Sequence, residues 1–228
     1  MKPNVPAVPT PTDAQVPVDA EQQRWSRIYA GPGYYYGSEP GPVARRAVRY
    51  HRPYLPQGGT ALDVGCGEGQ DLAFLAEQGY DATGIELTPE GAAKARRLLE
   101  NRGLRAEVLR QDVRDLDLSR RYDLVLAVNS VQFMGAAASS CLDRLMEMVA
   151  PGGVIGLSLF AREGNQPPVE RTLYFIALEE LLERFADWQP LEAAQLWQWN
   201  AHSGKPQPFV TLIARKASPR AEVMAPLT

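Results

Sequence analysis

The sequence predicts an α/β fold: a doubly wound sheet, mostly parallel, finished by an antiparallel C-terminal hairpin strand. Three observations carry this. Short apolar runs alternate with helical patterns from Thr60 to Leu159, which calls for right-handed crossovers between parallel strands. A glycine-rich turn, "GCGEG" at 65–69, follows the first apolar run directly. Near the C-terminus two strand-like runs flank "NAHSGKPQP", a connection too short for a crossover, so they pair antiparallel.

Residues 1–20 contain five prolines and few core formers; this composition does not offset the entropy of ordering and reads as a disordered tail. "SPRAEVMAPLT" at 218–228 reads the same way. Residues 21–57 form a helical N-terminal segment and 58–217 the main domain. The first helix runs from about Asp19 to Tyr29. The second begins near Pro42, with Val43, Ala47 and Val48 at helical spacing. Between them lies "YAGPGYYYGSEPGP", a glycine- and proline-rich loop carrying Tyr34, Tyr35 and Tyr36.

The alternation then begins with a strand at Thr60–Val64, a helix at Asp71–Gln78 stopped by Gly79, and a strand at Ala82–Ile85. Thr88, Pro89 and Glu90 open the next helix with a capping hydroxyl, proline at the first helical position and an acid at the positive end. It stops at Asn101–Gly103. Further strands are Ala106–Leu109, Asp123–Val128 and Val154–Leu159, the last preceded by a helix bearing Leu142, Leu145 and Val149 and closed by "PGG". A helix at Leu178–Phe185 leads to the final strands, Glu192–Trp199 and Phe209–Ala214.

The 228 residues are 45% hydrophobic and 22% charged, ordinary for a soluble globular chain, and the net charge of −3 speaks against a nucleic-acid-binding surface. No apolar run approaches the roughly 20 residues that span a bilayer, and no signal-peptide core opens the chain. Two cysteines make neither a disulfide framework nor a metal cluster. The expectation is a cytoplasmic protein without metal, membrane or nucleic-acid partners. Nothing in the sequence fixes an oligomeric state.

Gly65, Gly67 and Gly69 are spaced G-x-G-x-G, and the third glycine of a dinucleotide fingerprint would fall at Gln70. Asp63 precedes the turn, and a carboxylate there suits a cationic sulfonium and amino group better than a pyrophosphate. The phosphate-cradling G-x-x-x-x-G-K-[ST] run is absent. These residues point to S-adenosylmethionine. Glycines at such a turn let the main chain approach a ligand without Cβ clashes.

With these motifs in order, the chain resembles the class I S-adenosylmethionine-dependent methyltransferases from about residue 25 to 216. "LDVGCGEG", "ATGIEL", "RQDVRDL", "YDLVLAVNSVQF" and "MVAPGG" carry the resemblance. It implies a Rossmann-like, seven-stranded fold, with residues 21–57 as a lid and S-adenosylhomocysteine as the product. It also implies a cofactor site of Asp63, Gly65, Cys66, Gly67, Gly69, Glu86, Leu87, Asp112, Val113 and Asn129. In it Glu86 binds the ribose hydroxyls, Asp112 receives the adenine amino group and Val113 flanks the ring. Cys66 reads as a packing residue rather than a nucleophile, and Asp115 and Asp117 as solvated loop acids.

Within that family the chain is most similar to the tellurite-resistance-type and thiopurine-type small-molecule methyltransferases, through "YYYGSEP" and "FVTLIARK". Gly41 stands where that group often has Asn, and Trp197, Gln198 and Trp199 occupy the hairpin where tellurite-acting members carry His and Arg. A soft nucleophile such as a thiol, selenium or tellurium species needs no general base, whereas a phenol or alcohol does. Only two histidines occur: His51 reads as structural, and His202, in the hairpin loop, is with Tyr36 a catalytic candidate. Tyr34, Tyr35 and Tyr36, Arg162, and Trp197 with Trp199 are the expected acceptor-contacting residues. O- or N-methylation of a small metabolite, a non-catalytic binding module and an aminopropyl transferase are the alternatives. The last lacks an acidic cluster near 129–135 to hold a polyamine.

Overall fold

The computed structural model describes residues 18–170, 173–200 and 205–218. The two terminal tails therefore lie almost wholly outside the described residues, as does His202. Residues 18–20, expected in the tail, belong to the first helix, α1 (Val18–Tyr29).

Helix α2 (Pro42–His51) follows the tyrosine loop, with Pro42 at its first position. The core then alternates: β1 (Gly59–Val64), α3 (Gln70–Glu77), β2 (Tyr80–Glu86), α4 (Pro89–Asn101), β3 (Glu107–Arg110), β4 (Tyr122–Val128), α5 (Ala138–Met148) and β5 (Val149–Phe160). A 3-10 turn at Val113–Asp115 follows β3, and a 3-10 segment at Val131–Ala137, kinked at Gly135, follows β4. After β5 come a two-residue hairpin, β6 (Val169–Glu170) and β7 (Leu173–Tyr174), then α6 (Leu178–Arg184), β8 (Trp188–Asn200) and β9 (Lys205–Lys216).

One seven-stranded sheet has the order β3-β2-β1-β4-β5-β9-β8. The first five strands are mutually parallel. β9 runs antiparallel between β5 and β8, as the short connection requires. β5 starts five residues earlier than expected because Val149 already pairs with Tyr122 across an irregularity in register. The short β6–β7 hairpin was not expected; two-residue strands leave no period to read.

Strand alternation splits the core into two layers. Ala61, Leu124, Leu126, Val154 and Ile213 face α2, α3 and α4, packing on Ala44, Ala47, Leu72, Leu75, Ala95 and Leu98. Their neighbours Leu62, Val125, Ala127, Ile155 and Leu212 face the other way, onto Leu142, Leu145, Met148 and Leu181 of α5 and α6. Burial on both faces explains why the central strands are continuously apolar rather than alternating. Helix α4 is capped as the sequence predicts, Thr88 Oγ1 accepting the Gly91 N–H at 3.1 Å. The carboxyl ends of β1 to β5 thus open on one rim of the sheet, with α1 and the tyrosine loop across it.

Candidate active site

A cavity of about 350 Å³ lies at that rim. Its lining includes Asp63 from the end of β1, Gly65, Cys66 and Gly67 from the turn, Glu86 and Leu87 after β2, Asp112 and Val113 after β3, and Asn129 after β4. Of the expected cofactor residues only Gly69 does not line it. The sequence order of motifs becomes one site because parallel strands deliver all their carboxyl ends to the same edge.

The three turn glycines have φ of +70°, +55° and +90°, the left-handed region that favours glycine. Protein atoms also crowd all three positions. A Cβ on Gly65 would stand 2.4 Å from Ser130 Cβ, one on Gly67 2.7 Å from Tyr29 Oη, and one on Gly69 2.8 Å from Ala95. Protein packing therefore calls for glycine at each of the three, Gly69 fitting the turn against α4.

Glu86 is buried and held by three donors: Thr88 N–H at 2.8 Å and Thr88 Oγ1–H at 2.6 Å to Oε1, and Gly67 N–H at 3.0 Å to Oε2. The Leu87 N–H donates to it as well, so the protein's own donors already occupy the roughly four acceptor positions a carboxylate offers. A ligand diol engaging both oxygens has to share the place of the Thr88 hydroxyl. Burial raises the Glu86 carboxyl above its ordinary range, and these hydrogen bonds oppose the rise.

Asp63 is buried and its Oδ2 has no hydrogen-bond partner. Burial first, then the charges of Asp71 and Glu86, push its carboxyl well above the usual range, against one bond from the Leu72 amide. Gln70 Oε1 and Ser130 Oγ, both at the cavity, are likewise buried without partners. Orphaned acceptors turned on a cavity are the features a ligand with N–H donors and positive charge would satisfy. Asp112 differs: although burial opposes ionisation, the Arg114 side chain and main chain, bonded at 2.6 to 2.9 Å, hold its carboxyl below the ordinary range. Asn129 has φ +53°, the one positive value on a non-glycine among the described residues, and is fixed by the Ser158 hydroxyl donating to Oδ1 at 2.8 Å.

Over this floor stand Trp25, Tyr29, Tyr36 and Phe133. Trp25 stacks on Tyr29 at 5.5 Å between ring centroids and meets Phe133 edge-on at 4.9 Å. Phe133 continues to Phe160 at 5.6 Å, so the aromatic wall leans over the ends of β4 and β5. Burial chiefly, then Tyr35 beside it, pushes the Tyr36 phenol up to about 12. Near neutral pH Tyr36 is therefore a neutral hydroxyl, not a phenolate base. Among the described lining residues there is no histidine or lysine.

The acceptor candidates divide. Tyr36 lines the cavity, while Tyr34 and Tyr35 do not. Tyr34 instead packs against the core beneath the loop, with Lys94 Nζ 5.9 Å from its ring centroid. Arg162 lies outside the cavity, ion-paired with Glu180. Trp197 and Trp199 are 63% and 68% exposed on β8, the edge strand, away from the site. Among the described residues β8 is the last strand of the sheet, and both side chains are largely open to solvent.

Several lining residues were not anticipated: Trp25, Tyr29, Glu68, Asp71, Thr88, Arg114, Phe133 and Met134. Trp25 and Tyr29 carried a readable signal, an i, i+4 aromatic pair on one helix face. Glu68 carried another, a lone charge inside a turn of glycines that is 1% exposed.

Residues 61–153 match the family described as methyltransferase domain. Hemagglutinin 1 of Eikenella corrodens is 29% identical over 164 residues, 68% of this chain and 54% of that protein. The dTDP-3-amino-3,4,6-trideoxy-alpha-D-glucopyranose N,N-dimethyltransferase of Streptomyces venezuelae is 29% identical over 135 residues, 56% of this chain and 52% of that protein. The chain spans about half the length of these curated relatives. The crystal structure of TehB from Haemophilus influenzae superposes with a TM-score of 0.66 at 20% identity, covering 86% of this chain and 67% of that one.

Proposed function

With residues 61–153 carrying a methyltransferase domain of the class I S-adenosylmethionine-dependent type, we propose that the chain transfers a methyl group from S-adenosylmethionine to a small-molecule acceptor. One observation carries the reading: Asp63, Glu86 and Asp112, closing three neighbouring parallel strands, converge on one cavity behind the glycine turn. Bound there, S-adenosylmethionine supplies a methyl group on a good leaving group. In this reading Glu86 accepts from the ribose hydroxyls with charge-assisted strength. Asp112 and Val113 hold the adenine end, and the orphaned Asp63, Gln70 and Ser130 atoms meet the amino-acid end. The chain's remaining tasks are alignment of the acceptor and exclusion of water, which fall to Trp25, Tyr36, Phe133 and Met134.

The acceptor we favour is a soft nucleophile: a thiol, selenium or tellurium species. The support is the aromatic wall and the absence of histidine and lysine among the described lining residues, since a soft anion needs no base. An amine is the second reading, supported by the N,N-dimethyltransferase relative. Calorimetry with S-adenosylhomocysteine tests the cofactor site. A screen of thiols, selenols, tellurite, amines and phenols for S-adenosylhomocysteine release tests the acceptor. Tight binding with release on no acceptor would favour a binding module over an enzyme.

A further inference from the structure

The two edges of the seven-stranded sheet are built differently. At one, β3 is four residues long with a charge at each end, Glu107 and Arg110. Short, charged strands are a usual means of keeping an edge from pairing with another chain. At the other, β8 is 13 residues long. From Ala193 to Asn200 its sequence, "AAQLWQWN", has neither charge nor proline. Glu192, the one charged residue of the strand, is ion-paired with Arg46 of α2 at 2.7 Å. Alternate residues of an antiparallel strand direct their N–H and C=O groups outward, and among the described residues no strand lies beyond β8 to receive them.

The outer part of β8 also projects. Pairing of β5 with β9 ends at Phe160 and Phe209, and four further β8–β9 pairs lie beyond it, from Trp197–Pro208 to Asn200–Lys205. A two-stranded ribbon is marginal in water by itself. Residues paired across strands share a face, so Trp197, Trp199, Pro206 and Pro208 make one apolar surface on this ribbon. Leu196, 42% exposed, stands on the opposite face. From this geometry we infer that β8 is a dimer surface whose partner is a second copy of this chain. The two β8 strands pair antiparallel about a two-fold axis and join the two sheets into one. A two-fold axis sets the strand against its own image, so any charge there would meet its like; this stretch carries none. A register centred on Leu196 pairs residues 193–199 with themselves. It buries both copies of Leu196 on one face, and on the other sets Trp199 opposite Ala193 and Trp197 opposite Gln195. The area suffices: four tryptophans, each about two-thirds exposed, bring ~500 Å² at roughly 200 Å² per side chain. The leucines and the strands themselves supply the rest of the ~1,200 Å² at which stable interfaces begin.

Analytical ultracentrifugation of the full chain tests this. Wild type should dimerise at micromolar concentration, at twice its 25.1 kDa. The double variant Trp197→Ala/Trp199→Ala removes the aromatic surface, and Leu196→Lys sets a cation against its own image. Each should raise the dimer Kd at least tenfold. All three side chains are exposed, so both variants keep the fold; should the double variant fail to fold, Leu196→Lys decides alone. A monomeric wild type overturns the dimer surface, as does a dimer that either folded variant leaves intact. Association that grows past two copies also overturns it, because a two-fold pairing of edges closes on itself.

Discussion

The main-chain N–H of Gly67 donates to Glu86 Oε2 at 3.0 Å, joining the turn behind β1 to the carboxylate that closes β2. The two residues are 19 apart in sequence and form one wall of the cavity. Their bond makes the turn's shape and the carboxylate's position interdependent, and the first two predictions follow from it.

Glu86→Ala removes the acceptor for the donors of Gly67, Leu87 and Thr88 as well as the proposed ribose ligand. S-adenosylhomocysteine binding should weaken by about 1.5–3 kcal/mol, the range for a hydrogen bond to a charged group. Calorimetry reads this directly, and unchanged affinity excludes Glu86 as the ribose ligand.

Gly67→Ala brings a Cβ within 2.7 Å of Tyr29 Oη at φ +55°. Folding stability and ligand affinity should both fall. Combining it with Tyr29→Phe removes the 2.7 Å contact but leaves the ring Cζ at 3.3 Å and the backbone strain, so the double variant should recover only part of the lost melting temperature. Full recovery would show that strain at the turn and the remaining ring contact are both negligible.

Asp63→Asn replaces a buried carboxylate with an unpartnered oxygen by a neutral amide. The folded-state pKa of Asp63 is raised, so the folded chain binds more protons than the unfolded one between the ordinary carboxylate range and that raised value. Stability from this group is present at low pH and lost as pH rises through the raised value. The variant should therefore melt higher than wild type at neutral pH, by ~2–6 °C for about 1–2 kcal/mol. The gain should vanish near pH 4. Ligand affinity should drop at least tenfold at neutral pH, and a variant that binds normally would remove Asp63 from the site.

Trp25→Ala and Phe133→Ala should raise KM for whichever acceptor the screen identifies by roughly tenfold, as loss of aromatic contact of ~1.4 kcal/mol implies, with cofactor affinity nearly unchanged. Trp197→Ala and Trp199→Ala should leave both quantities alone, since these side chains lie on the outer edge of the sheet. Steady-state kinetics on the four variants place the acceptor under the α1 aromatics or under the hairpin.

Much of the fold was legible because its signals are local. The Thr88-Pro89 cap, Gly79 after α3 and the continuous apolar runs of β1 and β4 are each set by a few adjacent residues. Strand ends were harder: β5 and β8 extend beyond their apolar cores because Val149 pairs with Tyr122 ahead of an irregularity in register, and β8 pairs with β9 through Trp188 to Pro190. The surroundings of the acceptor candidates were the least legible. Trp197 and Trp199 share a strand face on paper, yet which face is covered depends on what packs outside β8. Arg162 reads as a free cation until Glu180, from a helix 18 residues on, neutralises it.

By itself the sequence determined the order of elements, the sheet type and the carboxylates at successive strand ends, because alternation and caps act over a few residues and parallel topology follows from them. Only the tertiary structure decided that Tyr29 packs on Gly67, that Lys94 and Glu68 grip the tyrosine loop by its main chain, and that Trp25 and Phe133 roof the cavity. The grip on the loop works through backbone carbonyls and amides, groups that every residue carries and no sequence pattern marks, and the aromatic contacts join side chains that only the folded chain brings together.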